Sequence, residues 1–299
     1  MGHPGSAVDG DSRLTLLRTF IGKLLLSSVL LLSSPIGAAE PAAQAALSSA
    51  LQATPAAGVV VDIASGRQVA AVGATTRVST PGSILKPLFL SAALERREVL
   101  PQTTVFCRRS LHITEGAREW DLACTHPQSD VAFAAKEALA YSCNSYFASV
   151  ADRIPPSEVA GILDHYGLTS GSLQPSREQK ELLVLGVAGI AVSPVQMAAA
   201  YRKLALALKG SGALDALRDG LKDSVDYGMA HNAAVPGQVI LGKTGTASDP
   251  GASWSHGWFA GIGYLGREEV VLVIYLPRGN GADAARMAQH FFLAGARAP

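Results

Sequence analysis

The spacing of hydrophobic and polar positions changes period several times along the chain. Residues 58–63 form a β-branched apolar run, Ala64-Ser65-Gly66-Arg67 has turn composition, and residues 68–72 form a second apolar run. That pattern predicts a β-hairpin. Thr80-Pro81-Gly82 interrupts the chain, and residues 83–97 then place Leu85, Leu88, Phe89, Ala92 and Ala93 at helical spacing. From about residue 131 to 218 the pattern is mainly helical, with segments 131–151, 157–166 and 194–208 separated by proline and glycine. After Ala233 the character changes again. Segments 239–247, 257–265 and 269–276 read as strands, with Gly266-Arg267-Glu268 as a tight turn, and residues 281–296 read as a closing helix. Upstream of all these, residues 42–54 are alanine-rich and helix-prone until Pro55 stops them.

Strands at both ends and helices between them predict an α/β (α+β) fold. Its central antiparallel sheet is assembled from distant segments and flanked by helices, with an all-helical subdomain inserted at about residues 125–230. A ligand belongs in the cleft between sheet and helical lobe.

The N-terminus has a different pattern. Arg13, Arg18 and Lys23 precede an apolar run over residues 24–32, followed by Ser33-Ser34-Pro35-Ile36-Gly37-Ala38-Ala39. A positive region, a short apolar region and small residues compose a secretory signal. The uncharged stretch 24–39 is shorter than the roughly 20 residues that span a bilayer. Export is therefore expected, to the periplasm or the outer face of the cytoplasmic membrane, with cleavage near Ala39 or Ala45 or retention as an anchor. This assigns residues 1–45 to leader and linker and residues 46–299 to the folded domain.

Composition adds few constraints. The chain has 299 residues, 48% hydrophobic and 16% charged, which suits a soluble globular core. A formal net charge of +1 gives no basic surface for nucleic acid. With three cysteines the chain is not a disulfide scaffold. Cys107 and Cys124 can close one loop across a polar segment as a disulfide, stay as free thiols, or join His126 around a metal, although their spacing matches no standard zinc pattern. Cys143 reads as packed inward and inert. Trp120, Trp254 and His256 read as core or rim packing.

Three short motifs carry candidate chemistry. In Ser83-Ile84-Leu85-Lys86, positions i and i+3 share a helix face, so hydroxyl and amine can meet. Pro87 fits only within a first helical turn, which puts Ser83 at a helix N-terminus, where N–H groups favour developing negative charge. In Ser142-Cys143-Asn144, a hydroxyl and an amide two residues apart offer a proton relay and a peptide-binding group, or a plain helix cap. In Lys243-Thr244-Gly245-Thr246, strand alternation places both threonine hydroxyls on one face to receive a carboxylate. Gly245 permits close backbone approach, and Lys243 adds positive charge.

Taken in order, these motifs resemble the signature of the penicillin-binding proteins and serine β-lactamases. The contexts agree: Pro81-Gly82 before Ser83, residues 141–147 around Ser142-Cys143-Asn144, Val192-Ser193-Pro194-Val195-Gln196, and Trp258-Phe259-Ala260-Gly261 all resemble segments of penicillin-binding transpeptidases, over roughly residues 58–292. The resemblance implies a β-lactamase/transpeptidase-like fold, with Ser83 as nucleophile, Lys86 as its base, Ser142 as proton relay and Asn144 as substrate holder. Thr244, Gly245 and Thr246 would bind substrate, Lys243 would be catalytic, and the backbone N–H groups of Ser83 and Thr246 would form the oxyanion hole. Lys86 must be neutral to act, and burial together with the cation of Lys243 is expected to lower its pKa. No cofactor and no metal are implied.

The implied reaction is D,D-transpeptidation of D-alanyl-D-alanine stem peptides of peptidoglycan, with penicillin acylating the same oxygen. D,D-carboxypeptidation, β-lactam hydrolysis and β-lactam sensing without turnover are the alternatives. Glu178 and Glu181 lack the Leu-Asn context of a class A β-lactamase, and Asn144 stands where class D enzymes carry an apolar residue. Thr125-His126-Pro127-Gln128 replaces the family's usual Gly-His-Gly. About 250 residues after export suffice for a transpeptidase domain alone, so a glycosyltransferase or other cell-wall partner is expected. Membrane association is expected only through an uncleaved N-terminal segment.

Overall fold

The computed structural model describes Met1, residues 36–168 and residues 174–296. The proposed leader elements at Arg13, Arg18, Lys23 and residues 24–32 lie outside the described residues. No helix among the described residues is long and apolar enough to cross a membrane.

A five-stranded antiparallel sheet runs in the order β2-β1-β7-β6-β5. Strands β1 (Ala57–Asp62) and β2 (Gln68–Val72) form the predicted hairpin. Strand β1 also pairs with β7 (Glu268–Leu276), which pairs with β6 (His256–Leu265), and β6 with the edge strand β5 (Leu241–Ala247). The two ends of the chain therefore build one sheet.

Period-2 alternation divides the strand side chains between two cores. Val60, Phe259, Leu272 and Ile274 pack with Leu47, Leu51, Phe291 and Phe292 of α1 (Ile36–Leu51) and α9 (Gly281–Ala296). Val59, Val61, Trp258, Ala260, Val271 and Val273 pack on the opposite face with α2 (Lys86–Glu95), α7 (Pro194–Gly210) and the helical region. Because both faces are covered, these strands are nearly continuous apolar runs. Each fully buried Val, Leu, Ile or Phe contributes about 1.5–3 kcal/mol. Helix α1 runs through the boundary drawn after residue 45, and Ala43, Ala46 and Leu47 are all buried.

Helices α3 (Ala135–Ala140), α4 (Asn144–Arg153), α5 (Pro156–Tyr166), α6 (Arg177–Leu185), α7 and α8 (Asp215–Asp226) make up the middle of the chain. Two readings need correction. The helix expected over residues 131–151 is split, because Ser142 adopts φ +55° and closes α3: its N–H reaches Leu139 O at 3.1 Å and that of Cys143 reaches Ala138 O at 2.9 Å. This 5→2 and 6→1 pair is a Schellman ending, here with serine in place of the usual glycine. The polar segment between Cys107 and Cys124 is a hairpin, β3 (Ser110–Glu115) with β4 (Arg118–Ala123), turning at Gly116.

Candidate active site

The segment Ser79–Ser83 is held from several sides before it reaches Ser83. Ser79 pairs with Val192 across an antiparallel bridge, and Thr80 O accepts from His256 Nε2 at 2.7 Å and Trp258 Nε1 at 3.0 Å. His256 and Trp258 are thus buried props behind the site, in line with the reading of His256 as a packing residue. Trp120 packs half-buried against the core, also as expected, and lines a separate groove of about 870 Å³ beside residues 187–191 and 248–251. Exposed Trp254 lies under the Arg278 guanidinium at 4.6 Å.

A 3₁₀ turn, Gly82–Leu85, carries Ser83 directly into α2, with Pro87 in the first helical turn as its missing N–H requires. Gly82 has φ +59°, and a Cβ there would stand 2.9 Å from Thr246 O. A Cβ on Gly245 would stand 2.6 Å from Pro81 O and 3.3 Å from Ile84 N. The two glycines let edge strand β5 lie backbone-to-backbone against the turn that bears Ser83.

A cleft of about 430 Å³ opens along this junction and is lined by Ser83, Ser142, Asn144, Thr244 and Thr246. These five predicted site residues converge, although their segments are far apart in sequence. Thr244 Oγ1 donates to Met229 O at 3.2 Å, and Thr246 Oγ1 accepts from Gly281 N at 2.9 Å. Gly281 and its neighbour Asn280 also line the cleft. Sequence reasoning missed both, since they belong to no motif and enter only because α9 starts against β5. Among the described residues lining the cleft none is acidic.

Lys86 and Lys243 lie beneath the cleft, both fully buried. Lys86 Nζ donates to Asn144 Oδ1 at 2.7 Å, Ser142 O at 2.9 Å and Ser142 Oγ at 3.2 Å, which fills the three donors of an ammonium. The Phe147 ring centroid lies 5.2 Å from the same nitrogen. Burial lowers the Lys86 pKa to about 8, against the opposing pull of Cys124 and Cys143. Lys243 Nζ donates to Thr244 O at 2.9 Å, and its pKa falls well below the usual lysine value through burial first and the charge of Lys86 second. Of the two expected influences on Lys86, burial is the one that lowers it, while the repulsion between the two lysines falls on Lys243.

Next to Asn144 lies a cluster of sulfur. Cys107, Cys124 and Cys143 are free thiols, so the Cys107–Cys124 disulfide allowed by the sequence is not formed. Their Sγ atoms and a ring nitrogen of His126 lie within 4.8 Å of one another. Asn144 N donates to Cys124 Sγ at 3.2 Å, and Asn144 Nδ2 to Ala123 O at 3.1 Å. A hydrogen bond from Cys143 holds the Cys124 thiol down at about 4, and the same bond together with burial pushes Cys143 up. Cys143 is buried, as expected, but it packs among polarisable donors rather than in an inert apolar setting.

No curated protein sequence matches the chain. Among solved structures, the D,D-transpeptidase domain of a peptidoglycan glycosyltransferase from Eggerthella lenta superposes with a TM-score of 0.71 at 19% identity, covering 85% of this chain and 80% of that one. The transpeptidase domain of Burkholderia pseudomallei penicillin-binding protein 3 gives 0.69 at 21% identity, covering 87% and 92%. These likenesses establish the fold. The sequence model of the penicillin-binding protein transpeptidase domain matches residues 50–293, so the chain belongs to that family.

Proposed function

We propose that this protein is a serine D,D-transpeptidase-type acyl-transferase acting on D-alanyl-D-alanine stem peptides, with Ser83 as the acylated residue. The observation that carries this reading is the convergence of Ser83, Ser142, Asn144, Thr244 and Thr246 on one cleft above a buried lysine whose pKa is about 8.

In the first step Ser83 Oγ bonds to the carbonyl carbon of the penultimate D-alanine while its proton passes to neutral Lys86 Nζ. The oxygen that becomes negative is received by the backbone N–H groups of Ser83 and Thr246, two residues that line the cleft. Loss of one such donor typically costs about 2.7–4 kcal/mol. The C–N bond then breaks, and the proton returns from Lys86 through the Ser142 hydroxyl to the leaving nitrogen. D-Alanine departs and an ester remains on Ser83. Asn144 holds the peptide, Thr244 and Thr246 receive the terminal carboxylate, and Lys243 stabilises that end of the cleft. An amine then attacks the ester to give a crosslink, or water attacks to give a trimmed peptide. β5, as an edge strand, offers the stem peptide a place to lie as an added strand.

Penicillin would acylate the same oxygen, and none of the described residues lining the cleft adds a carboxylate to Lys86 for the activation of water. That supports a long-lived adduct over β-lactam hydrolysis. The proposed place of action is outside the cytoplasmic membrane, where stem peptides are found, alongside a glycosyltransferase that supplies glycan strands. Incubation with a stem pentapeptide and a D-amino acid acceptor tests the reading. Release of D-alanine with formation of the exchanged peptide supports transfer, release without exchange supports carboxypeptidation, and no release contradicts both.

A further inference from the structure

We propose that Cys107, Cys124, His126 and Cys143 form a tetrahedral zinc site that fastens the β3–β4 hairpin to the segment carrying Ser142 and Asn144. The inference does not depend on the acyl-transfer reading.

Four soft donor groups converge from three separate places. Cys107 precedes β3, Cys124 and His126 follow β4, and Cys143 sits between α3 and α4. In a tetrahedral zinc site with Zn–S about 2.3 Å and Zn–N about 2.0–2.1 Å, donors stand about 3.4–3.8 Å apart. Here Cys107 Sγ and His126 Nε2 are 3.4 Å apart, and all four donors lie within 4.8 Å of one another. Side-chain adjustments of about 1 Å or less therefore complete the geometry. Sulfur and imidazole suit zinc and exclude magnesium and calcium, which require oxygen.

The surrounding bonds match those of a metal site. His126 Nδ1 lies 2.7 Å from Pro127 O and 3.2 Å from Arg109 Nη1; the shorter contact is the one a proton on Nδ1 makes, since a carbonyl only accepts. The lone pair of Nε2 is left facing the sulfurs, the tautomer a ligating histidine needs. Cys107 Sγ accepts from Arg109 N at 3.3 Å, and Cys124 Sγ from Asn144 N at 3.2 Å. Three thiolates, a neutral imidazole and Zn²⁺ sum to a single negative charge. The Arg109 guanidinium lies beside it, donating to His126 O at 2.8 Å and Cys124 O at 3.1 Å.

A Cys107–Cys124 disulfide explains less. It would leave Cys143 and His126, both buried, facing it with no partner for the free Nε2. A metal uses all four donors. With three protein sulfurs and one nitrogen, coordination is complete and no position remains for substrate water, so the zinc would be structural. Ser142 and Asn144 flank Cys143, which makes the four ligands positioning residues for the cleft.

The test is metal content and spectroscopy on the purified chain, independent of activity. Protein prepared with zinc present should contain one equivalent by elemental mass spectrometry. After chelation and Co²⁺ addition it should show the intense visible bands and sulfur-to-cobalt charge transfer of a tetrahedral thiolate site. Cys107→Ser and His126→Gln should each lower retained zinc at least about tenfold after dialysis, and should alter the cobalt spectrum where the variant folds. If the variants do not fold, the cobalt spectrum of the wild type decides alone. Zinc-free wild type, a six-coordinate cobalt spectrum, or a Cys107–Cys124 disulfide in zinc-replete protein would overturn the proposal.

Discussion

Lys86 Nζ stands 2.7 Å from Asn144 Oδ1, so the amine at the start of α2 is oriented by the first residue of α4. Asn144 in turn is tied to the end of β4 through Ala123 O at 3.1 Å. The first and second motifs are thereby one hydrogen-bonded unit, and losses at either should be non-additive. Single substitutions Lys86→Met and Asn144→Ala and their combination, measured as penicillin acylation rates, check this. The double variant should lose far less than the product of the two single losses.

The pH profile of acylation follows from burial of Lys86. A protonated amine cannot take the Ser83 proton, and the neutral share grows as pH rises through about 8. The rate should climb about tenfold from pH 7 to pH 9 and then level off. Lys86→Met should lower the rate by about 10²–10⁴ and flatten that rise. Stopped-flow acylation across the range reads both effects.

Ser142 combines a hydroxyl that faces Lys86 with a backbone at φ +55°. A left-handed residue other than glycine costs about 1–2 kcal/mol. Ser142→Ala and Ser142→Gly both remove the hydroxyl, and only glycine relieves the backbone. The glycine variant should melt about 2–4 °C above the alanine variant for each 1 kcal/mol relieved, with equal loss of acylation. Paired calorimetry and rate measurements separate the two roles.

The contact between β5 and the Ser83 turn depends on Gly245, where a Cβ would meet Pro81 O at 2.6 Å. Gly245→Ala should leave circular dichroism unchanged while forcing the strand from the turn. A displacement of about 1 Å at reacting groups can cost about 10²-fold in rate. Acylation by penicillin should fall accordingly.

Legibility in the sequence followed the range of the interaction involved. β1, β2, β6, β7 and α9 lie within a residue or two of their expected limits, because a continuous apolar run between turn residues, or a helical apolar pattern, is a local property. The β3–β4 hairpin was missed, although Leu111 and Ile113 alternate with Ser110, His112 and Thr114, because the partner strand carries Arg118, Glu119 and Asp121 and has no apolar run. The split at Ser142 was missed because serine rarely occupies a left-handed helix ending. The spacing of the motifs was enough to single out Ser83, Ser142, Asn144, Thr244 and Thr246, which line one cleft. The Lys86–Lys243 electrostatics and the grouping of Cys107, Cys124, His126 and Cys143 were not legible, since both arise only when distant segments pack.

The central claim is that Ser83 Oγ is the atom that becomes acylated. Peptide mapping of penicillin-treated protein tests it most directly. The account predicts a penicilloyl mass gain confined to the peptide that contains Ser83, and none in Ser83→Ala under the same conditions. A mass gain on another residue, or an equal adduct in the alanine variant, would contradict it.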